Sequence, residues 1–99
     1  MSETDLVRAC LAWLALRHIP AWRINAGGFK TGKYFVHLAP AGFADIVAIA
    51  PGGRFLAIEC KRPSGRLTPD QVTFAEDVRR AGGLAVVVRS VEDLAMGVA

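Results

Sequence analysis

Asp45, Glu59 and Lys61 are charged residues set in sequence that otherwise reads as buried strand: F-A-D-I-V-A-I-A ahead of a P-G-G turn and R-F-L-A-I-E-C-K-R behind it. Ionised groups are costly to bury without partners. Gly52 is the middle of the turn, with Asp45 seven residues before it and Glu59 seven after. A three-residue loop therefore sets Asp45 and Glu59 opposite each other on an antiparallel pair, Cβ atoms about 4.5–5.5 Å apart. A bulge in the turn would shift that pairing by one position. Two carboxylates so placed repel, and each raises the other's proton affinity; a shared proton or a divalent cation relieves them. Strand alternation puts Lys61 on the face of Glu59 and turns Leu56, Ile58 and Cys60 the other way, into the core.

The chemistry open to such a trio is specific. Mg²⁺ or Mn²⁺ is satisfied by one or two carboxylates plus waters and phosphate oxygens. The ion polarises a phosphodiester and acidifies a bound water. A lysine beside it can orient or deprotonate that water, or stabilise charge on the phosphorane. That set of groups hydrolyses a nucleic acid backbone. The same residues also fit a solvent-facing Glu59–Lys61 pair with Asp45 merely opening its strand, and spacing alone leaves both readings open.

The elements that must position these residues are legible around them. Ser2 or Thr4 caps a first helix to about Arg17 or His18, with Glu3 and Asp5 at its favourable N-terminal end and Pro20 stopping it. Leu6, Val7, Cys10, Leu11, Trp13, Leu14 and Leu16 give it an unusually broad apolar surface, suited to a sheet and a second subunit. A-W-R-I-N-A is a short strand, and the glycine-rich G-G-F-K-T-G-K-Y-F-V-H-L-A-P-A-G behind it reads as a loop with a short extended piece. The two strands of the P-G-G hairpin follow. Thr68, Pro69 and Asp70 announce a helix to about Ala81, closed by Gly82-Gly83 with Arg79 and Arg80 in its last turn. L-A-V-V-V-R is an apolar strand covered on both faces, joined to the hairpin by a parallel crossover. Ser90 and Asp93 open a short last helix. The order is α-β-β-β-α-β-α, an α/β fold with a mixed central sheet, in a single domain over residues 1–99.

Composition sets the outer bounds. A chain of 99 residues, 53% hydrophobic and 21% charged, supports one folded core. Twelve Lys and Arg against nine Asp and Glu give a formal charge of +3, a mild bias toward polyanions. Cys10 and Cys60 lack metal-ligand spacing with His18 or His37 and read as free buried thiols of a reducing cytoplasm. No signal peptide is expected, and L-V-R-A-C-L-A-W-L-A-L-R-H-I is too short and too interrupted by arginine to span a membrane.

Gly42-Phe43-Ala44-Asp45, then Glu59-Cys60-Lys61, then Gln71, preceded by Glu3 on the first helix, resembles the VRR-NUC (virus-type replication-repair nuclease) group of the PD-(D/E)XK nuclease superfamily. Trp22 to Lys30 (W-R-I-N-A-G-G-F-K) is similar to that group's R-x-N-x-G region. The superfamily's proline before the aspartate is missing, and the G-x-x-D form found instead is the subgroup's. The resemblance spans residues 3 to about 90. It implies a restriction-endonuclease-like core and a Mg²⁺- or Mn²⁺-dependent endonuclease acting as a homodimer on branched DNA, Holliday junctions included. It also implies roles: Asp45, Glu59 and the Cys60 carbonyl as metal ligands, Glu3 joining them directly or through water, Lys61 serving the attacking water, and Gln71 holding Lys61, a water or substrate. A bacterial or phage-infected cell is the expected setting, with no small-molecule cofactor.

Gln71 has a second reading, because Thr68-x-x-Gln71 is a capping box. Arg23, Asn25, Lys30 and Lys33 precede the first site strand, and Arg62 and Arg66 follow E-C-K. They are candidate contacts to phosphate and sugar, which position DNA without reading its sequence. His37 reads as a structural or surface histidine rather than a general base, and Trp13 and Trp22 as core or interface. Two rival functions remain: a nuclease fold that binds nucleic acid without cutting, and a flap- or single-strand-specific nuclease.

Overall fold

The structure is a computed structural model and describes residues 1–24, 28–37 and 39–98. The first helix, α1 (Glu3–Leu16), begins as its sequence dictates. Ser2 Oγ accepts the Asp5 N–H at 3.1 Å, and the Asp5 carboxylate accepts the Ser2 N–H at 3.3 Å. These bonds satisfy two orphan amides and hold the Asp5 carboxyl below its ordinary range. The helix ends earlier than Pro20: Arg17 caps it and His18 turns left-handed, at φ 58°.

The main sheet has four strands in the order β1 (Ala21–Arg23), β4 (Ile46–Ala50), β5 (Arg54–Cys60), β6 (Leu84–Val88). β1 and β5 flank β4 antiparallel, and β6 runs parallel to β5 after the crossover through α2 (Pro69–Arg80). α3 (Val91–Val98) closes the fold. The expected order thus holds for the main sheet. The glycine-rich segment adds to it: β2 (Gly28–Thr31) and β3 (Tyr34–His37) pair as a separate two-stranded sheet. Gly32, at φ 59°, supplies the left-handed residue of its tight loop. β6 takes the edge of the main sheet, so its apolar run reflects cover by helices on its faces rather than a central place.

The sheet separates two packed layers. On one side Leu6, Val7, Cys10 and Leu14 of α1 meet Ile46, Ala48, Leu56, Ile58, Cys60, Val88 and Leu94. On the other, Ala75 and Val78 of α2 meet Ala44, Ala57 and Ala85, with Phe74 alongside. The apolar surface of α1 is narrower than its composition suggests. Leu11 and Trp13 are half-buried against the same core, and Leu16 is 80% exposed. Arg17 lies over the Trp13 ring, 4.1 Å from its centroid. Both cysteines are free and fully buried, and contact with Cys10 together with burial pushes the Cys60 thiol up.

Candidate active site

The β4–β5 hairpin sets the site by its register. Pro51, Gly52 and Gly53 form the loop between Ala50 and Arg54, and the ladder runs to Ile46 opposite Ile58. One further step of that register, past the last ladder pair, sets Asp45 opposite Glu59, as counting from Gly52 requires; no bulge interrupts the ladder. Asp45 has left the strand, and its side chain does what a backbone carbonyl would have done. Its Oδ2 accepts the Cys60 N–H at 2.8 Å, while its own carbonyl accepts the Ile24 N–H at 2.8 Å. The carboxylate is thereby fixed across the end of β5.

Glu59 is 9% exposed, the one buried charged or polar side chain among the described residues. Alternation turns it toward α2, where Ala44, Ala57, Phe74 and Gln71 line the same narrow pocket. The alanines matter here. Small residues on both the sheet and α2 let the helix come close enough for its third residue to reach the carboxylate. Gln71 Nε2 donates to Glu59 Oε1 at 3.1 Å. The same glutamine completes the cap of α2: its Oε1 accepts the Thr68 N–H at 2.9 Å, and Thr68 Oγ1 accepts the Gln71 N–H at 3.2 Å. Its two readings are therefore compatible, since the amide oxygen serves the cap and the amide nitrogen serves Glu59.

Burial first, then the hydrogen bond and negative charge of Asp45, raise the Glu59 carboxyl to about 8. Lys61 pulls the other way and Glu3 adds a smaller push upward. A carboxyl this uncomfortable as an anion is a group awaiting positive charge. Lys61 follows the last residue of β5, half-buried, with its N–H on the Val88 carbonyl at 2.9 Å. It shares a cleft with Glu3, Arg62, Pro63 and Arg89.

Gly42 has a physical reason to be glycine. It lies at φ 82°, and a Cβ there would run into the Asp70 backbone carbonyl at the start of α2. It is the seam through which the loop carrying Asp45 and the helix carrying Gln71 are held together. Phe43 reinforces that seam, its ring 4.8 Å from the Phe74 ring.

A family model for the VRR-NUC domain matches residues 33–92, more than half of the chain and all of the hairpin–helix unit just described. The chain belongs to the VRR-NUC family. It is therefore a member of a family of nucleases, for which DNA is the partner and divalent metals are in general use. No curated protein matches the chain closely enough to add to this. The matched stretch of this VRR-NUC domain includes Asp45, Glu59, Lys61 and Gln71 and leaves Glu3 outside.

The remaining candidate residues are less convergent. Arg62 is exposed beside Lys61, and Arg66 is exposed in the connection to α2. Arg23 is exposed on β1, and Lys30 and Lys33 are exposed on the separate hairpin, where Lys33 Nζ lies 5.6 Å from the Tyr34 ring centroid. Asn25 lies outside the described residues. Trp22 is 52% exposed, so it is no core residue. Sequence reasoning missed Gly42's contact with α2, the Phe43–Phe74 pair and Arg89. Of these only Gly42 carried a signal, as a lone glycine just ahead of a strand.

The donor set suits a hard dication. Among the described residues no three Asp, Glu, His or Cys side chains gather into a ready-made cage. Two facing carboxylates, one of them buried and short of positive charge, are what Mg²⁺ or Mn²⁺ takes when waters and phosphate oxygens complete the shell. Among the described residues no helix is long and apolar enough to cross a membrane.

Proposed function

We propose that this VRR-NUC domain is a Mg²⁺- or Mn²⁺-dependent DNA endonuclease that hydrolyses phosphodiesters in structured or branched DNA, Holliday junctions included, as a homodimer. The observation that carries this reading is the pair of Asp45, pinned by the Cys60 N–H, and buried Glu59, its carboxyl pushed up to about 8. Asp45 and Glu59 would hold the ion with the Cys60 carbonyl. In an extended residue N–H and C=O point to the same side, so that carbonyl shares the side on which Asp45 accepts the N–H. Glu3, across the cleft from Lys61, joins through water. When bound, the ion supplies charge that polarises the phosphodiester and acidifies a water.

The side chains then have separable tasks. Lys61, whose positive charge acts on the Glu59 carboxyl, orients the attacking water or neutralises charge as it develops. Gln71 keeps Glu59 in one rotamer from a rigid helix turn. Arg62 and Arg66 take phosphates next to the site, and Arg23, Asn25, Lys30 and Lys33 extend the contact along the backbone without reading sequence.

Dimerisation is supported by an apolar patch away from α1. Trp22, Ile49 and Phe55, at 52%, 47% and 42% exposure, lie on one face of the sheet, Trp22 opposite Val47 and Ile49 opposite Phe55. A symmetric pair would double a small DNA surface and set two sites for paired nicks across a junction.

The test is cleavage of a four-way junction, a flap, plain duplex and single-stranded DNA with Mg²⁺ or Mn²⁺, with Glu59→Ala and Lys61→Ala alongside. Wild-type cleavage of the junction, lost in both variants, is the expected result. Binding without cleavage on every substrate would make the protein a DNA-binding module. Equal cleavage by wild type and both variants would remove these residues from the site.

A further inference from the structure

β5 and β6 are parallel, so their C-terminal ends lie side by side and both chains leave the sheet at one place. Lys61 leaves β5 toward α2, and Arg89 leaves β6 toward α3. The main chain of Arg89 is fixed there: its N–H donates to Asp93 Oδ2 at 2.8 Å, and the Asp93 N–H donates to Ser90 Oγ at 3.2 Å. From that anchor the guanidinium reaches across to the loop behind Lys61. Nε donates to the Pro63 carbonyl at 3.3 Å and Nη2 to the Gly65 carbonyl at 2.9 Å.

The loop so held folds back on the lysine. The Gly65 N–H closes a turn on the Arg62 carbonyl at 2.9 Å, and a Cβ on Gly65 would lie 3.5 Å from Lys61 Cβ. Lys61, Arg62, Pro63 and Arg89 line one cleft with Glu3, about 100 Å³ in volume. Glycine, proline and serine give residues 61–66 little packing of their own, and Gly65 is only half-buried. The planar fork of one arginine, bridging two carbonyls of this turn, is what ties it to the sheet end.

We propose that Arg89 is a positioning residue of the nuclease site, acting through the 61–66 turn to hold Lys61 and Arg62 over the Asp45–Glu59 pair. This rests on the nuclease reading, and it assigns Arg89 an effect mainly on turnover and none on metal affinity. An arginine serving only as positive charge for DNA would behave differently, because a lysine could replace it; a lysine cannot bridge the two carbonyls.

The experiment uses the full chain with Arg89→Ala and Arg89→Lys, a labelled four-way junction and Mn²⁺. The expected result is a fall in kcat of about tenfold or more in both variants. The Mn²⁺ dissociation constant should stay within about twofold of wild type, since neither carboxylate is touched, and KM should rise less than kcat falls, since only the phosphate contacts of the turn loosen. Exchange of the Gly65 amide, followed without metal or DNA, should quicken about tenfold in both as the turn opens. Recovery of wild-type kcat by Arg89→Lys overturns the proposal in favour of a simple charge, and so does unchanged Gly65 exchange. If Arg89→Ala fails to fold, Arg89→Lys carries the same readouts. If wild type cuts nothing, the nuclease reading fails, and Gly65 exchange still decides whether Arg89 holds the turn.

Discussion

Toward α1 and α3, β5 presents Leu56, Ile58 and Cys60, each fully buried among large aliphatic side chains. Toward α2, the same strand presents Ala57 and Glu59 against a layer made mainly of alanine. One face buries volume and the other gives up volume so that polar groups can approach. The first supplies the apolar burial that keeps the strand in place, at about 25 cal/mol per Å² removed from water. The second uses that rigidity to hold a carboxyl in surroundings that disfavour its charge. A site built on a central strand gains this precision because neighbouring residues of one chain segment carry the two tasks separately.

If the division is real, substitutions one residue apart should fail in different ways. Glu59→Gln keeps the shape and removes the charge. It should cost a thousandfold or more in cleavage and most of the Mn²⁺ affinity, while the metal-free protein stays folded at pH 8 by circular dichroism. Survival of cleavage in that variant would break the comparison on its functional side. Ile58→Ala should do the converse. Emptying a fully buried position costs about 2–5 kcal/mol in urea unfolding. The fraction still folded should bind Mn²⁺ as wild type does.

Titration sharpens the same contrast. Glu59 is raised from 4.5 to about 8 in the folded protein, chiefly by burial, then by Asp45, with Lys61 opposing and Glu3 adding a little; Gln71 is the facing group from α2. Below pH 4.5 the group is protonated folded or unfolded. Between there and about 8 the folded state holds a proton that the unfolded state has lost, so stability falls as pH rises through this window. A tenfold difference in proton affinity between the two states is worth about 1.4 kcal/mol, so a loss of a few kcal/mol is expected between pH 5 and pH 8 without metal. Urea unfolding in chelator should show that slope in wild type and lose most of it in Glu59→Gln. An unchanged slope in the variant would assign the pH dependence elsewhere.

The parts of this arrangement that the sequence disclosed are the parts set by local rules. A three-residue turn with two glycines fixes a register, and the register carries Asp45 to Glu59 by counting alone. Thr68-Pro69 fixes where α2 begins, and with it the place of Gln71 one turn in. What stayed hidden depended on distant segments meeting. Gly42 meets Asp70 across α2, and Arg89 finds carbonyls 24 and 26 residues away. The seven apolar residues of α1 gave no means of telling Leu14, which is buried, from Leu16, which is not. The β2–β3 hairpin was within reach: F-K-T and Y-F-V-H flank Gly32-Lys33, a two-residue loop with glycine at its first position.

Gln71 joins the two faces to the helix that covers one of them, and its effect should be the smallest and the most informative in kind. Gln71→Glu retains the capping box, because a carboxylate oxygen accepts the Thr68 N–H as the amide oxygen does. It removes the Nε2 donor and sets a third negative group against Glu59. Helix stability should therefore change little, while the Glu59 carboxyl becomes harder still to ionise and Mn²⁺ binds with its pH midpoint moved upward. Gln71→Ala loses both bonds and should cost about 1 kcal/mol in unfolding, the ordinary worth of a cap. It leaves Glu59 one donor short, so cleavage falls and the midpoint moves upward by less than in Gln71→Glu. Comparing the two variants by Mn²⁺ titration across pH separates what Gln71 does for the helix from what it does for the carboxylate. Identical midpoints would mean that Gln71 is a cap and nothing more.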